Sequence, residues 1–259
     1  MKLSCVEMML GENPLADKFR LAQEAGFDGL DLRGDLLRDR VDEAARLVRE
    51  TKFPIPTVYG RYKPHLVSAT AAERAEAVAI LRTRLADAAR VGAERLIVVP
   101  VTGPPRIAVE RGAGTEEVEL ALLLVLLAEL AIEAREHGVA IVLEPLNRRQ
   151  THLLVSPTRA AELTRHLGAG VGMLADTFHM DLEGQDAAAE IERSSDQLRL
   201  VHLADRDRQL PGDGGIDFAP ALRTLRELGY DGWYGFECNG PFTLAQLREA
   251  TSFVRGIAG

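Results

Sequence analysis

From Lys2 to Val254 the sequence alternates short apolar runs with longer amphipathic stretches, eight times over and without a break. A short run rich in branched apolar residues reads as a buried strand. A longer stretch with apolar residues three and four apart reads as a helix packed on one face. The strands expected are Lys2–Val6, Phe27–Leu32, Phe53–Tyr59, Glu94–Val99, Val139–Glu144, Val171–Asp176, Leu198–Leu203 and Gly232–Cys238. Between and after them fall expected helices over Pro14–Ala25, Val41–Thr51, Ala69–Val91, Thr115–His137, Pro157–Leu167, Ala187–Ser194, Pro220–Leu228 and Leu244–Val254. Pro54 and Pro56 weaken the third strand, since proline donates no ladder hydrogen bond. Pro104, Pro105 and Gly112 mark Gly103–Gly114 as a loop.

Eight strand–helix units in 259 residues match a (β/α)₈ barrel, for which ~250 residues is typical. An open doubly wound sheet shares the same local pattern. The barrel is favoured because the last strand is followed by a helix of its own, and because no GxGxxG turn follows the first strand. The reading is therefore a single TIM-barrel domain over residues 1–259. A net charge of −8 without a basic block argues against nucleic acid as a partner. The apolar stretch Leu120–Leu130, interrupted by Glu129 and edged by Glu116, Glu117 and Glu119, is too short and too acidic for a membrane span; it is expected to be a buried helix. Two cysteines, Cys5 and Cys238, and a start lacking a signal-type apolar segment lead us to expect reduced core thiols and a cytoplasmic location.

Four of the apolar runs end at a side chain able to hold a metal: Glu144 in Val-Leu-Glu-Pro-Leu-Asn-Arg, Asp176 in Ala-Asp-Thr-Phe-His-Met, His202 in Val-His-Leu-Ala-Asp, and Glu237 in Gly-Phe-Glu-Cys. One such residue alone would be an ordinary loop-start polar group. In a barrel, however, the C-terminal ends of strands five to eight open on one shared mouth. Three carboxylates and an imidazole brought together there would repel unless a cation joined them. The mostly oxygen donor set suits one divalent ion, Mn²⁺ or Mg²⁺ first, Zn²⁺ or Co²⁺ after them.

Taken jointly, these motifs resemble the xylose-isomerase-like TIM-barrel superfamily, in particular its sugar isomerase/epimerase branch, which includes ketose 3-epimerases, hydroxypyruvate isomerase and inosose dehydratase. The resemblance runs the length of the chain. It implies that Glu144, Asp176, His202 and Glu237 bind one divalent metal and that Glu144 and Glu237 are the catalytic acid/base pair. It implies also that His179 and Arg208 contact a sugar, keto-sugar or polyol substrate. Metal stabilisation of an enediolate, with a glutamate on either side of the reacting carbon, serves epimerisation, isomerisation or dehydration alike. Asn147 is grouped with the substrate-binding residues and is expected to hydrogen-bond Glu144. Relatives acting on free ketoses often carry a second glutamate where this chain has Gln150, a departure that counts against a ketohexose 3-epimerase.

Dehydration of an inosose is the first alternative. An abasic-site phosphodiesterase is the second, but such enzymes draw extra histidine and carboxylate ligands from earlier strands, and the ends of strands two to four offer no histidine here. Glu7, Tyr59 and Arg61 follow early strands and are further candidates for substrate contact. His65, His137, His152 and His166 read as loop or helix-end residues, and Arg148 and Arg149 as solvated or salt-bridged. Association into a homo-oligomer is compatible with this fold.

Overall fold

The computed structural model describes residues 1–108 and 114–258. Eight parallel strands, β1 (Lys2–Val6), β2 (Gly29–Arg33), β3 (Thr57–Tyr59), β4 (Arg95–Val98), β5 (Ala140–Leu143), β6 (Val171–Asp176), β7 (Leu198–Leu203) and β8 (Trp233–Phe236), form a closed barrel in sequence order. Closure is made by β8 pairing with β1, Cys5 lying opposite Phe236. The fold is the (β/α)₈ barrel expected from the alternation.

Around it stand α1 (Leu15–Glu24), α2 (Gly34–Leu37), α3 (Val41–Thr51), α4 (Ala71–Arg90), α5 (Thr115–His137), α6 (Pro157–Thr164), α7 (Thr177–Leu182), α8 (Ala187–Ser194), α9 (Ala219–Glu227) and α10 (Leu244–Ala258). Their starts are written in local chemistry. Thr70 and Glu73 form a reciprocal capping box at α4, Ser156 caps α6 ahead of Pro157, and Asp186 caps α8. Each such cap satisfies an amide that the helix itself leaves unpaired.

The structure departs from expectation in three places. β3 keeps only three residues, because Pro54 and Pro56 accept from Leu30 and Glu94 through their carbonyls but have no N–H to return. The short helices α2 and α7 are additional to the eight expected. α5 is half-buried rather than buried: Leu123, Leu127 and Leu130 are sealed, whereas Val125 and Ile132 are exposed. The expected Gly103–Gly114 loop lies outside the described residues over 109–113, and its described part pairs Gly103 with Thr151 in an isolated bridge. Among the described residues no helix is long and apolar enough to cross a membrane.

The C-terminal helix fastens the seam. Thr251 Oγ1 donates to Ala25 O at 2.8 Å, Arg248 Nε to Glu24 O at 2.8 Å, and Arg255 pairs with Asp28 at 2.8 Å. These contacts hold α10 against the α1–β2 connection, beside the β8–β1 junction where the ring closes.

Candidate active site

The C-terminal ends of β5 to β8 are adjacent around the ring. Glu144 directly follows β5, Asp176 ends β6, His202 is the penultimate residue of β7, and Glu237 directly follows β8. Register places Asp176 opposite His202 and His202 opposite Gly235. One ligand atom from each of Glu144, Asp176, His202 and Glu237 lies within 4.8 Å of all the others. His202 Nδ1 is 3.3 Å from Glu237 Oε2, 3.6 Å from Asp176 Oδ2 and 3.8 Å from Glu144 Oε1. The imidazole is wholly buried, yet neither of its nitrogens, nor Glu237 Oε2, makes a hydrogen bond. Buried polar atoms left in this state are costly. A hard divalent cation at the centre would satisfy all four donors at once, so the residues present fit such an ion.

Asp176 serves two ends. Its Oδ1 accepts from the backbone amides of Phe178 and His179, capping α7, and its Oδ2 faces the cluster and accepts from Arg208 Nη1 at 2.7 Å. The cap turns the chain sharply after β6, so that His179 lies in the first turn of a helix rather than in a loop. The same turn swings the His179 ring toward the mouth. Arg208 Nη2 donates to His179 Nε2 at 2.9 Å, its guanidinium lies 4.4 Å above the Phe178 ring, and Nη1 also reaches Glu237 Oε2 at 3.2 Å. Arg208 itself has a left-handed backbone, φ 57°. Asn147 turns to His179, with its side-chain amide 2.8 Å from Nδ1, and not to Glu144. Both nitrogens of His179 are thus engaged, Nε2 as the acceptor of Arg208 and Nδ1 against Asn147.

Burial and charge set the protonation pattern. Burial, then the neighbouring Glu237, pushes the Glu144 carboxyl up to about 8. Burial acts the same way on Asp176 and Glu237 and is the largest single influence, but Arg208 and the nearby histidines together outweigh it and hold both below the usual carboxylate range. Burial also opposes charge on His202, yet Asp176 and Glu237 raise it well above its ordinary value. For His179 burial prevails, keeping the ring neutral. Two glutamates facing one centre are therefore driven to opposite protonation states.

One contributor was not legible as a strand-end residue. Asp31, in the middle of β2, is fully buried beneath the cluster, where Ser4 Oγ donates to its Oδ2 at 2.6 Å. Burial, moderated by Ser4 and His202, pushes its carboxyl up to about 6. A Cβ on Gly235 would come within 3.1 Å of His202 Cδ2 and 3.2 Å of Asp31 Oδ2. The glycine therefore keeps open the space in which imidazole and carboxylate meet. A lone acid between Leu30 and Leu32 was the available signal, because a charge inside a buried strand needs a partner within the barrel.

Other candidates sort by their contacts. Glu7 is fully buried, but Lys18, Arg40 and the Arg33 amide take up its oxygens, so it braces the barrel rim. Tyr59 and Arg61 line the cavity over the cluster, together with Glu144, Arg208 and Glu237. His152 bonds Glu119 and the Gly103 carbonyl, tying two mouth loops together, and His65 contacts Thr102 at 3.0 Å. His137 and His166 are exposed. Arg148 pairs with Glu183 at 3.0 Å. Cys5 and Cys238 are free buried thiols raised by burial, Cys5 well above its ordinary value.

Comparison with known proteins adds an independent line. Residues 19–256 match the family model described as xylose isomerase-like TIM barrel. The chain is 28% identical over 247 residues to 3-dehydro-D-guloside 4-epimerase of Escherichia coli K12, covering 92% of each. It is 33% identical over 107 residues to D-psicose 3-epimerase of Enterocloster bolteae, covering 41% of this chain and 36% of that one. Among solved structures, apo 3-keto-D-glucoside 4-epimerase from E. coli superposes with a TM-score of 0.88 at 26% identity, over 99% of both chains. D-psicose 3-epimerase from Clostridium cellulolyticum H10, solved with D-tagatose, gives 0.86 at 18% identity over 100% of this chain and 99% of that one, a likeness of fold.

Proposed function

The chain belongs to the xylose isomerase-like TIM barrel family, and on that premise we propose that it is a divalent-metal-dependent sugar epimerase acting on a keto-sugar, of the keto-glycoside rather than the free-ketose kind. The observation that carries this reading is the convergence of Glu144, Asp176, His202 and Glu237 within 4.8 Å at the mouth of the barrel. Two further facts support the keto-glycoside class. The likeness to 3-dehydro-D-guloside 4-epimerase spans nearly the whole chain, and Gln150 stands where relatives acting on free ketoses carry a glutamate.

Glu144, Asp176, His202 and Glu237 would hold the metal, Mn²⁺ or Mg²⁺ by their donor chemistry. Bound there, the ion supplies electrostatic stabilisation of negative charge developing on substrate oxygens. The chain's own residues move the proton. Of the two glutamates, the one held ionised takes the carbon-bound proton beside the keto group, leaving an enediolate. The other, Glu144, delivers a proton to the opposite face, which inverts that carbon. Arg208 offers hydrogen bonds to the substrate oxygens from a guanidinium that neutral His179 holds in place at 2.9 Å, and Asn147 fixes the His179 ring.

The test is solvent exchange. Incubated with a 3-keto-glycoside and Mn²⁺ in D₂O, the protein should incorporate deuterium at the carbon next to the carbonyl and yield the epimer. Chelation should abolish uptake, and Glu237→Gln should slow it by roughly 10²–10⁴-fold, the usual worth of a positioned acid or base. Uptake that survives both treatments would falsify the assignment. β-Elimination of water without epimer formation would identify a dehydratase instead.

A further inference from the structure

The cavity over the metal cluster, about 260 Å³, does not end at the cluster. Through Gly60, Arg61 and Val99 it adjoins a second cavity of about 440 Å³, floored by Tyr62, Val99 and Leu146 and rimmed by Arg61, Lys63 and His65. The first is smaller than the roughly 300–1,000 Å³ of pockets that enclose larger ligands, whereas the second falls within that range. The space adjoining the proposed reaction centre is thus the larger of the two and apolar underneath.

The loop that builds this second cavity is held in a costly shape. Gly60 and Arg61 both have positive φ, 30° and 52°, a region uncommon for a residue with a Cβ. Buried Arg84 sustains it, donating to Gly60 O at 2.5 Å and Arg61 O at 2.6 Å, while the Tyr62 hydroxyl anchors the next residue to Val99 O at 2.9 Å. Strain maintained by a buried guanidinium is a feature of functional sites. Its effect is to hold Arg61 at the junction of the two cavities.

Charge gives the cavity its sign. In a chain of net charge −8, neither Arg61 nor Lys63 pairs with a carboxylate among the described residues. Arg106, beside them, donates to the Thr102 carbonyl and pairs with no carboxylate among the described residues, and Glu73 nearby is engaged in capping Thr70. His65 Nδ1 is buried without a partner. Arg208, the cation deeper in the site, is already committed to Asp176 and Glu237.

We propose that Arg61 and Lys63 form an anion subsite, and that the substrate is a keto-glycoside whose aglycone lies over Tyr62 and Leu146 and bears a carboxylate or phosphate. The proposal rests on the keto-glycoside reading for the position of the sugar ring, and it assigns the part of the ligand that the metal cluster does not touch. A planar guanidinium and a mobile ammonium on one rim suit a bidentate oxyanion.

The experiment uses calorimetric titration of the Mn²⁺-loaded full chain with 4-carboxyphenyl, 4-phosphonophenyl and neutral 4-carbamoylphenyl 3-dehydro-β-D-glucosides. At low salt at least one anionic ligand should bind about tenfold more tightly than the amide, the preference shrinking as salt screens it. Carboxylate and phosphonate arms identify which oxyanion is preferred. The double variant Arg61→Asn, Lys63→Gln should bring the ratio of anion to amide affinity to about one; asparagine tolerates the left-handed backbone, and an unchanged circular dichroism spectrum and Mn²⁺ affinity show that the site is folded. Equal affinities for all three ligands, or a preference that survives in the double variant, overturns the subsite. Deuterium uptake into the amide ligand is read in parallel. Uptake without anion preference refutes the subsite alone, and anion preference without uptake refutes the epimerase reading and leaves the subsite standing.

Discussion

Asp176 Oδ2 lies 2.7 Å from Arg208 Nη1 while the other oxygen of the same carboxylate caps α7. One side chain therefore connects three things: the donor cluster, the cation that holds it ionised, and the helix that carries His179. Its two duties are separable by mutation, because asparagine caps a helix about as well as aspartate but brings no charge.

Asp176→Asn, which keeps the cap and loses the ion pair to Arg208, should lower Mn²⁺ affinity by more than about tenfold. Asp176→Ala should lower affinity similarly and cost about 1 kcal/mol of stability in addition, the usual worth of an N-cap. Metal titration and urea midpoints measure the two effects. An asparagine variant that binds Mn²⁺ as tightly as the parent removes Asp176 from the ligand set.

Gly235→Ala places a methyl 3.1 Å from His202 Cδ2 and 3.2 Å from Asp31 Oδ2. The backbone can accept the residue, but the imidazole must give by a few tenths of an ångström. A methyl pressed against the ring of a proposed ligand should tilt it away from the shared centre, so Mn²⁺ binding should weaken by roughly tenfold with the fold intact. Unchanged binding, measured by calorimetry alongside circular dichroism, would show that the ring has slack.

Arg165, bonded to both Asp196 oxygens at 2.9 and 3.0 Å, holds that carboxyl down to about 2, from 3.8 ordinarily. A carboxylate depressed on folding contributes stability above its unfolded value and loses it as pH falls toward its folded one. The pair is well exposed, 38% and 50%, so its contribution is small and screened by salt. Arg165→Ala should therefore fall short of the parent in urea midpoint at pH 7, and the gap should close below about pH 2. A gap that is constant from pH 7 to pH 2 would assign the loss to packing.

Cys5 and Cys238 are buried, and burial raises both thiols. Since the thiolate is the reactive form, native protein at pH 8 should resist iodoacetamide for hours, and both residues should be alkylated promptly in guanidinium. Mass spectrometry of the intact chain counts the adducts. Rapid native modification of either residue would contradict its burial.

Much of the fold is written locally, and the rest depends on partners distant in sequence. The apolar runs ending in Glu144, Asp176, His202 and Glu237 declare both strand and site, because a buried strand stops where a polar group meets an open face. β3 shrinks since two prolines deny it ladder bonds. Asp31 and Arg84 were not legible as functional residues: one lies mid-strand and the other mid-helix, and their importance comes from Ser4, Gly235 and the Gly60–Arg61 carbonyls far along the chain. Asn147 was expected beside Glu144, yet the turn capped by Asp176 delivers His179 to it instead. Glu7 carried the composition of a site residue and is consumed by Lys18 and Arg40.

The pairing of β8 with β1 means that Glu237 takes its place only when the last strand docks on the first. A chain emerging during synthesis could assemble Glu144, Asp176 and His202 on successive strands, but would present an incomplete ligand set until its terminal segment arrived. High-affinity uptake of the proposed ion would then report that the barrel had shut into a ring, and a version lacking α10 should be poor at retaining it.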